Sequence, residues 1–139
     1  MWRFFPRERV PAHVLAPVAA YYLSRIQALR DVFATMPVRI RASSLLFVYE
    51  GDPEALEAAL ENAKRSAEQD EEESEASSDE DAEGNAKPSR RIPCIIRMID
   101  FAHASRVPDE EGPDEGILLG MDTTIRLLTS IVDELAELA

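Results

Sequence analysis

The chain has 139 residues, enough for a single domain, and a formal net charge of −12. Such a charge disfavours electrostatic binding to nucleic acid or to an anionic membrane surface. It is unevenly spread: residues 68–83 hold ten acids and no bases, so only about −2 belongs to the rest. Hydrophobic residues make up 45% of the chain, and a domain of this size can bury roughly two thirds of its unfolded surface. The one cysteine, Cys94, excludes an internal disulfide framework and points to a reducing compartment. No apolar run reaches the ~18 residues of a membrane helix. The N-terminus, "MWRFFPRERVPAHV", is basic and aromatic but lacks the apolar run and cleavage site of a secretory signal. These features together predict an intracellular protein.

Residues 11–36 read as a helix. Val18, Tyr22, Ile26, Leu29 and Phe33 recur at helical spacing, Pro11 or Pro17 can stand in a first turn, and Pro37 follows the end. Residues 38–51, "VRIRASSLLFVYEG", read as one strand buried between layers, rich in β-branched and aromatic residues. Asp52 and Pro53 suit the cap and first position of a second helix, "PEALEAALENAKRSA". Its stripe of Leu56, Ala59, Leu60 and Ala63 is thin, which predicts a surface helix. From about 68 to 90 the chain is low in complexity, with no aromatic and no aliphatic residue larger than alanine. It cannot offset the entropy of ordering, so a disordered acidic insert is expected. "RIPCIIRMIDF" follows as a second apolar strand, able to pair antiparallel with the first. "AHASRVPDEEGPDEG" reads as a turn-rich loop. A last helix runs from about Met121, with Asp122 or Thr123 as cap and Met121, Ile125, Leu128, Val132 and Leu135 as its stripe. The order of elements predicts an α+β fold without repeats.

Asp100 ends the second apolar strand. A carboxylate there is costly unless it is hydrogen-bonded, paired or bound to metal, so it reads either as a strand cap or as a metal ligand. His103 follows, a lone histidine that more often hydrogen-bonds than ligates. Ser43 and Ser44 point to opposite faces, so at most one can look toward a site beside Asp100. Asp109, Glu110, Glu111, Asp114 and Glu115 share one loop and read chiefly as solvated charge. Asp114-Glu115-Gly116 can also set a turn into the last helix. Ser77 and Ser78, each with an acid three residues on, suit an acid-directed protein kinase. No Gly-rich phosphate loop, Cys/His cluster or Ser-His-Asp signature occurs.

"ASSLLFVYEG" (42–51) and "RMIDFAHA" (97–104), followed by "PDEGILLG", resemble signatures of the inositol polyphosphate kinase family. The resemblance spans nearly the whole chain outside the acidic insert. It leans toward the multikinase and hexakisphosphate kinase branches, and "FFP" and "GMDTTIRLL" toward fungal members. It implies the C-terminal lobe of a distantly protein-kinase-like fold. It further implies that Asp100 holds the Mg²⁺ bridging the phosphates of ATP, that Ser44 helps position that metal or its water, and that the acceptor is an inositol polyphosphate. It also implies residence in the nucleus and cytoplasm. Such chemistry needs charge neutralisation and positioning more than covalent help. The family's Pro-x-x-x-Asp-x-Lys-x-Gly motif is missing, since no Asp-x-Lys occurs in the 139 residues. The family places that motif upstream on the inositol-binding side, and its ATP-binding N-terminal lobe is absent as well; that lobe is expected as the missing partner, and the isolated chain is expected to be inactive. The alternative is an inactive remnant whose acidic segment binds a basic protein.

Overall fold

The computed structural model describes residues 3–75 and 93–138. Helix α1 spans Ala12–Phe33, strand β1 Val38–Arg41, β2 Ser44–Tyr49, helix α2 Pro53–Glu75, β3 Cys94–Ile99, β4 His103–Arg106 and helix α3 Glu115–Leu138. A short 3-10 turn, Asp109–Glu111, precedes α3. The fold is α+β, as the order of elements predicts, with antiparallel strand pairs packed on helices.

The core lies between α1 and α3. From α1 come Leu15, Val18, Tyr22 and Ile26, and from α3 Met121, Leu128, Ile131 and Leu135, all buried. The helical periodicities therefore mark the right faces, although Leu29, Ile125 and Val132 are only half-buried. Leu56 and Leu60 anchor α2, whose remaining described side chains are half-buried or exposed. This agrees with a surface helix. The N-terminal aromatics dock as well. Phe5 is buried, and Phe4 packs edge-on against Phe5, Phe47 and Tyr49. The Tyr49 hydroxyl donates to the Phe4 carbonyl at 2.6 Å.

The sheet is a two-stranded antiparallel ribbon in two parts. β2 pairs β3 from Ser44 with Ile99 to Tyr49 with Cys94, and β1 pairs β4 from Val38 with Arg106 to Arg41 with His103. The inner face of β2–β3 presents Leu45, Phe47, Tyr49, Ile96 and Met98 to the core. Tyr22, buried on α1, reaches up and donates its hydroxyl to the Val48 carbonyl at 2.6 Å. Burial is the main reason its phenol titrates above the ordinary tyrosine range, so it stays a neutral donor.

Four expectations change. Residues 38–51 form two strands, not one, because the chain kinks at Ala42. That segment is not buried between layers either: Leu46, Val48, Ile95 and Ile99 are exposed on the outer face. Residues 103–106, expected as loop, form β4, because β1 supplies a pairing edge that overrides the weak propensity of His-Ala-Ser-Arg. α3 begins at Glu115, not near Met121. Its cap is Asp114, whose Oδ1 accepts from the backbone N–H of Gly116 at 3.0 Å and Ile117 at 3.2 Å. Asp122 instead accepts from Arg30 Nε at 2.9 Å, and the Thr123 hydroxyl donates to the Leu119 carbonyl. Lastly, α2 continues to Glu75, past position 68 where the acidic insert was expected to begin. Glutamate and glutamine, which make up most of residues 68–75, are good helix formers, which favours the extension. The insert from 76 on, with Ser77 and Ser78, lies outside the described residues.

Two consequences are measurable. Tyr22→Phe deletes the buried hydroxyl that donates to the Val48 carbonyl, so denaturant unfolding should show a loss of about 1 kcal/mol. An unchanged midpoint would mean that this bond contributes nothing. Asp114→Ala removes a cap worth about 1 kcal/mol. Burial raises the Asp114 pKa, but the N–H donors of Ile40, Ile117 and Gly116, with the Arg39 charge, outweigh it and hold the carboxyl below its usual value. The unfolded chain therefore takes up the proton first. This stabilisation is complete above the unfolded value of about 4 and is lost as pH falls through the folded one. The gap between wild type and Asp114→Ala should be widest near neutrality and narrow as the pH falls below the unfolded value of about 4. Parallel stability curves across that range would contradict the assignment.

Candidate functional site

The kink joining the two ladders is where the chain concentrates unusual features. Between the paired ends, one strand has two residues, Ala42 and Ser43, and the other has three, Asp100, Phe101 and Ala102. The extra residue makes a β-bulge, a device that re-aims side chains and is common beside active sites. Both strands bend there through the left-handed region: Ala42 has φ 57° and Asp100 φ 68°. Aspartate tolerates this conformation, whereas alanine adopts it at a cost of roughly 1–2 kcal/mol. No other non-glycine described residue has positive φ. Backbone strain is therefore localised at one point of the ribbon.

Asp100 stands exposed on this bulge. Among the described residues its carboxylate makes no hydrogen bond and no ion pair, so it does not cap the strand. Ser44 opens β2 directly opposite Ile99, the residue before Asp100, and its side chain is exposed. Ser43 is half-buried beside it. The serines thus sit at the kink and the head of β2 rather than mid-strand. Both line an open cavity of about 360 Å³ whose far wall is the start of α3, including Asp114, Gly116, Gly120 and Thr124. Asp100 is not part of that wall. His103, exposed, lies across from Arg41 on the other side of the bulge. The structure brings Asp100 and Ser44 to the same end of β2–β3 and puts His103 just past it.

The remaining candidates have structural duties. Asp109 lies 3.6 Å from Arg106, and Glu111 lies 3.6 Å from Arg39. Asp114 caps α3 and also accepts from the Ile40 N–H at 3.1 Å. Glu115 is exposed in the first turn of α3. The side chain of Glu110 lies outside the described residues. Cys94 is buried beside Tyr22, and burial raises its thiol pKa to about 11, which suits a core residue rather than a nucleophile.

Among the described residues no three His, Cys, Asp or Glu side chains gather to form a metal cage. The donors at the bulge are one carboxylate and nearby hydroxyls, all hard oxygens. This set fits Mg²⁺, which keeps its waters and is bound through one or two carboxylates plus substrate phosphates. Beside it, Leu46, Val48, Ile95 and Ile99 form an exposed apolar face with Arg97 among them. Sequence reasoning missed this face because it took the strand as buried on both sides. It also missed Arg39, whose guanidinium donates to the Gly112 and Glu111 carbonyls at 2.9 and 3.1 Å. In the sequence the signal was an arginine alternating with valine and isoleucine in "VRIR".

Comparison with known proteins places the chain in a family. The profile for inositol polyphosphate kinase matches residues 1–129. An inositol polyphosphate multikinase of Saccharomyces cerevisiae is 39% identical over 115 residues, which is 75% of this chain and 32% of the relative. The chain thus spans about a third of that relative's length. The fold also resembles the crystal structure of the inositol phosphate multikinase Ipk2 from S. cerevisiae, in complex with ADP and Mn²⁺. There the TM-score is 0.64 and the identity 23%, over 93% of this chain and 43% of that one. With the profile covering all but the last ten residues and the bulge aspartate lying inside it, the chain belongs to the inositol polyphosphate kinase family.

Proposed function

We propose that this chain supplies the metal- and nucleotide-holding part of an enzyme that transfers a phosphoryl group from ATP to an inositol polyphosphate. The observation that carries the reading is Asp100, an exposed carboxylate without a partner among the described residues, on a strained bulge in a chain of this family. Asp100 and Ser44 are the residues that would hold Mg²⁺. The ion, when bound, neutralises charge on the nucleotide's phosphates. The chain's own residues position. The bulge sets Asp100 at the same end of the β2–β3 ladder as Ser44, whose hydroxyl would offer an oxygen to the metal or to its water. The exposed apolar outer face of Leu46, Val48, Ile95 and Ile99 would carry the nucleotide base. Its neighbour Asp100 then meets the phosphate end. His103, exposed just past the bulge, is placed to donate to a phosphate of the acceptor.

The named relatives lend support, since one is an inositol polyphosphate multikinase and the other holds ADP and Mn²⁺. Phosphoryl transfer depends on positioning and charge stabilisation, which is what a rigid ribbon offers. The chain contains no Asp-x-Lys, so the groups that the family resemblance assigns to the transferring phosphate lie outside these 139 residues.

Calorimetric titration of the chain with ADP in the presence and absence of Mn²⁺ tests the reading. Asp100→Asn keeps the shape of the side chain and removes its charge. It should weaken Mn²⁺-dependent ADP binding by tenfold or more, while metal-free binding stays as it was. Retention of the full Mn²⁺ effect by Asp100→Asn would remove Asp100 from the site.

A further inference from the structure

We propose that Arg41 binds a phosphate of the acceptor, an inositol polyphosphate, and so helps select that substrate. The proposal rests on the kinase reading above and extends it to a residue that reading does not use. Arg41 ends β1, and its ladder partner is His103. Residues directly opposite in an antiparallel pair project from the same face, with Cβ atoms about 5 Å apart. The guanidinium and the imidazole therefore share one face immediately outside the Asp100 bulge, and both residues are exposed.

The other arginines of the β1–β4 pair are committed elsewhere. Arg39, on the same face by alternation, is held by the Gly112 and Glu111 carbonyls and the Glu111 carboxylate. Arg106 lies 3.6 Å from Asp109. Asp114, hydrogen-bonded to the residue before Arg41, is already engaged by three backbone N–H groups. Arg41 itself makes no hydrogen bond or ion pair among the described residues. A cation is thus left unneutralised beside the aspartate that would hold the metal, in a chain of net charge −12. The planar fork of a guanidinium matches a phosphate bidentately. An acceptor that carries several phosphates besides the reacting position needs cations off the line of transfer, and Arg41 with His103 provides two.

The test titrates the 139-residue chain with inositol hexakisphosphate, and separately with inorganic tripolyphosphate as a linear chain of the nucleotide kind. Backbone amide shifts should centre on Arg41, Ala42, His103 and Ala104. Arg41→Gln should weaken inositol hexakisphosphate about tenfold, and Arg41→Lys less. Arg126→Gln, exposed on α3, should leave it unchanged. The proposal is overturned if Arg41→Gln matches Arg126→Gln, or if the wild-type chain does not bind. It is also overturned if tripolyphosphate loses as much as the cyclitol, which would assign Arg41 to the phosphate donor. ADP and Mn²⁺ binding in the same variants separates the two claims. If Arg41→Gln keeps cyclitol affinity while Asp100→Asn still loses Mn²⁺-dependent ADP binding, only the Arg41 proposal fails. If Asp100→Asn keeps that binding, the kinase reading fails.

Discussion

One carboxylate ties the two halves of this fold together. Asp114 accepts two N–H groups at the start of α3 and a third from Ile40 in β1. A helix N-terminus has orphan donors and the edge of a two-stranded ribbon has more. A single side chain satisfies some of each and thereby fixes where the ribbon meets the helix. Arg39 works on the same joint from the other side, by holding the turn at 111–112 against β1. Because both contacts fall just before Ala42, the ribbon cannot relax its kink by sliding along α3. The bulge that carries Asp100 is therefore braced by interactions that do not touch Asp100.

The rest of the ribbon is braced from below. Leu45, Phe47, Tyr49, Ile96 and Met98 face the core, and Tyr22 adds a directional bond to the Val48 carbonyl. Burial of this one face fixes the register, since a one-residue slip would turn the apolar set toward water. The opposite face keeps Leu46, Val48, Ile95 and Ile99 exposed. Rigidity on the inner face and availability on the outer face are two results of one alternating pattern.

Legibility in the sequence followed local strength of signal. β2 and β3 were readable because β-branched and aromatic residues crowd both, and α1 because its apolar spacing is regular. β4 was not readable: His-Ala-Ser-Arg has little intrinsic preference for a strand and becomes one only because β1 lies beside it. The start of α3 was hidden by Gly116 and Gly120, which mimic loop composition although each fits the helix. Gly120 leaves open space where a side chain would stand, and Gly116 follows the Asp114 cap. At the proposed site, Asp100 and Ser44 are drawn to notice by a family signature. Arg41 was not, because its significance comes from what its neighbours bind and from its ladder partner, neither of which is local in sequence.

The strain at the bulge has a physical logic that joins these observations. A carboxylate in the middle of a buried strand would lose hydration and would protonate or demand a fixed partner. Asp100 escapes this because the left-handed turn lifts it out of the ladder into water, where the charge keeps its hydration. The backbone cost falls on Ala42 and Asp100, and the Asp114 and Arg39 contacts beside the bulge help to hold it. A residue held in position yet hydrated can exchange waters for a cation and phosphate oxygens with little reorganisation. A deeply buried aspartate would first have to be opened, and a flexible one would first have to be ordered. The kinked ribbon avoids both costs at a place where, among the described residues, a carboxylate and a guanidinium without protein partners stand at the same bulge.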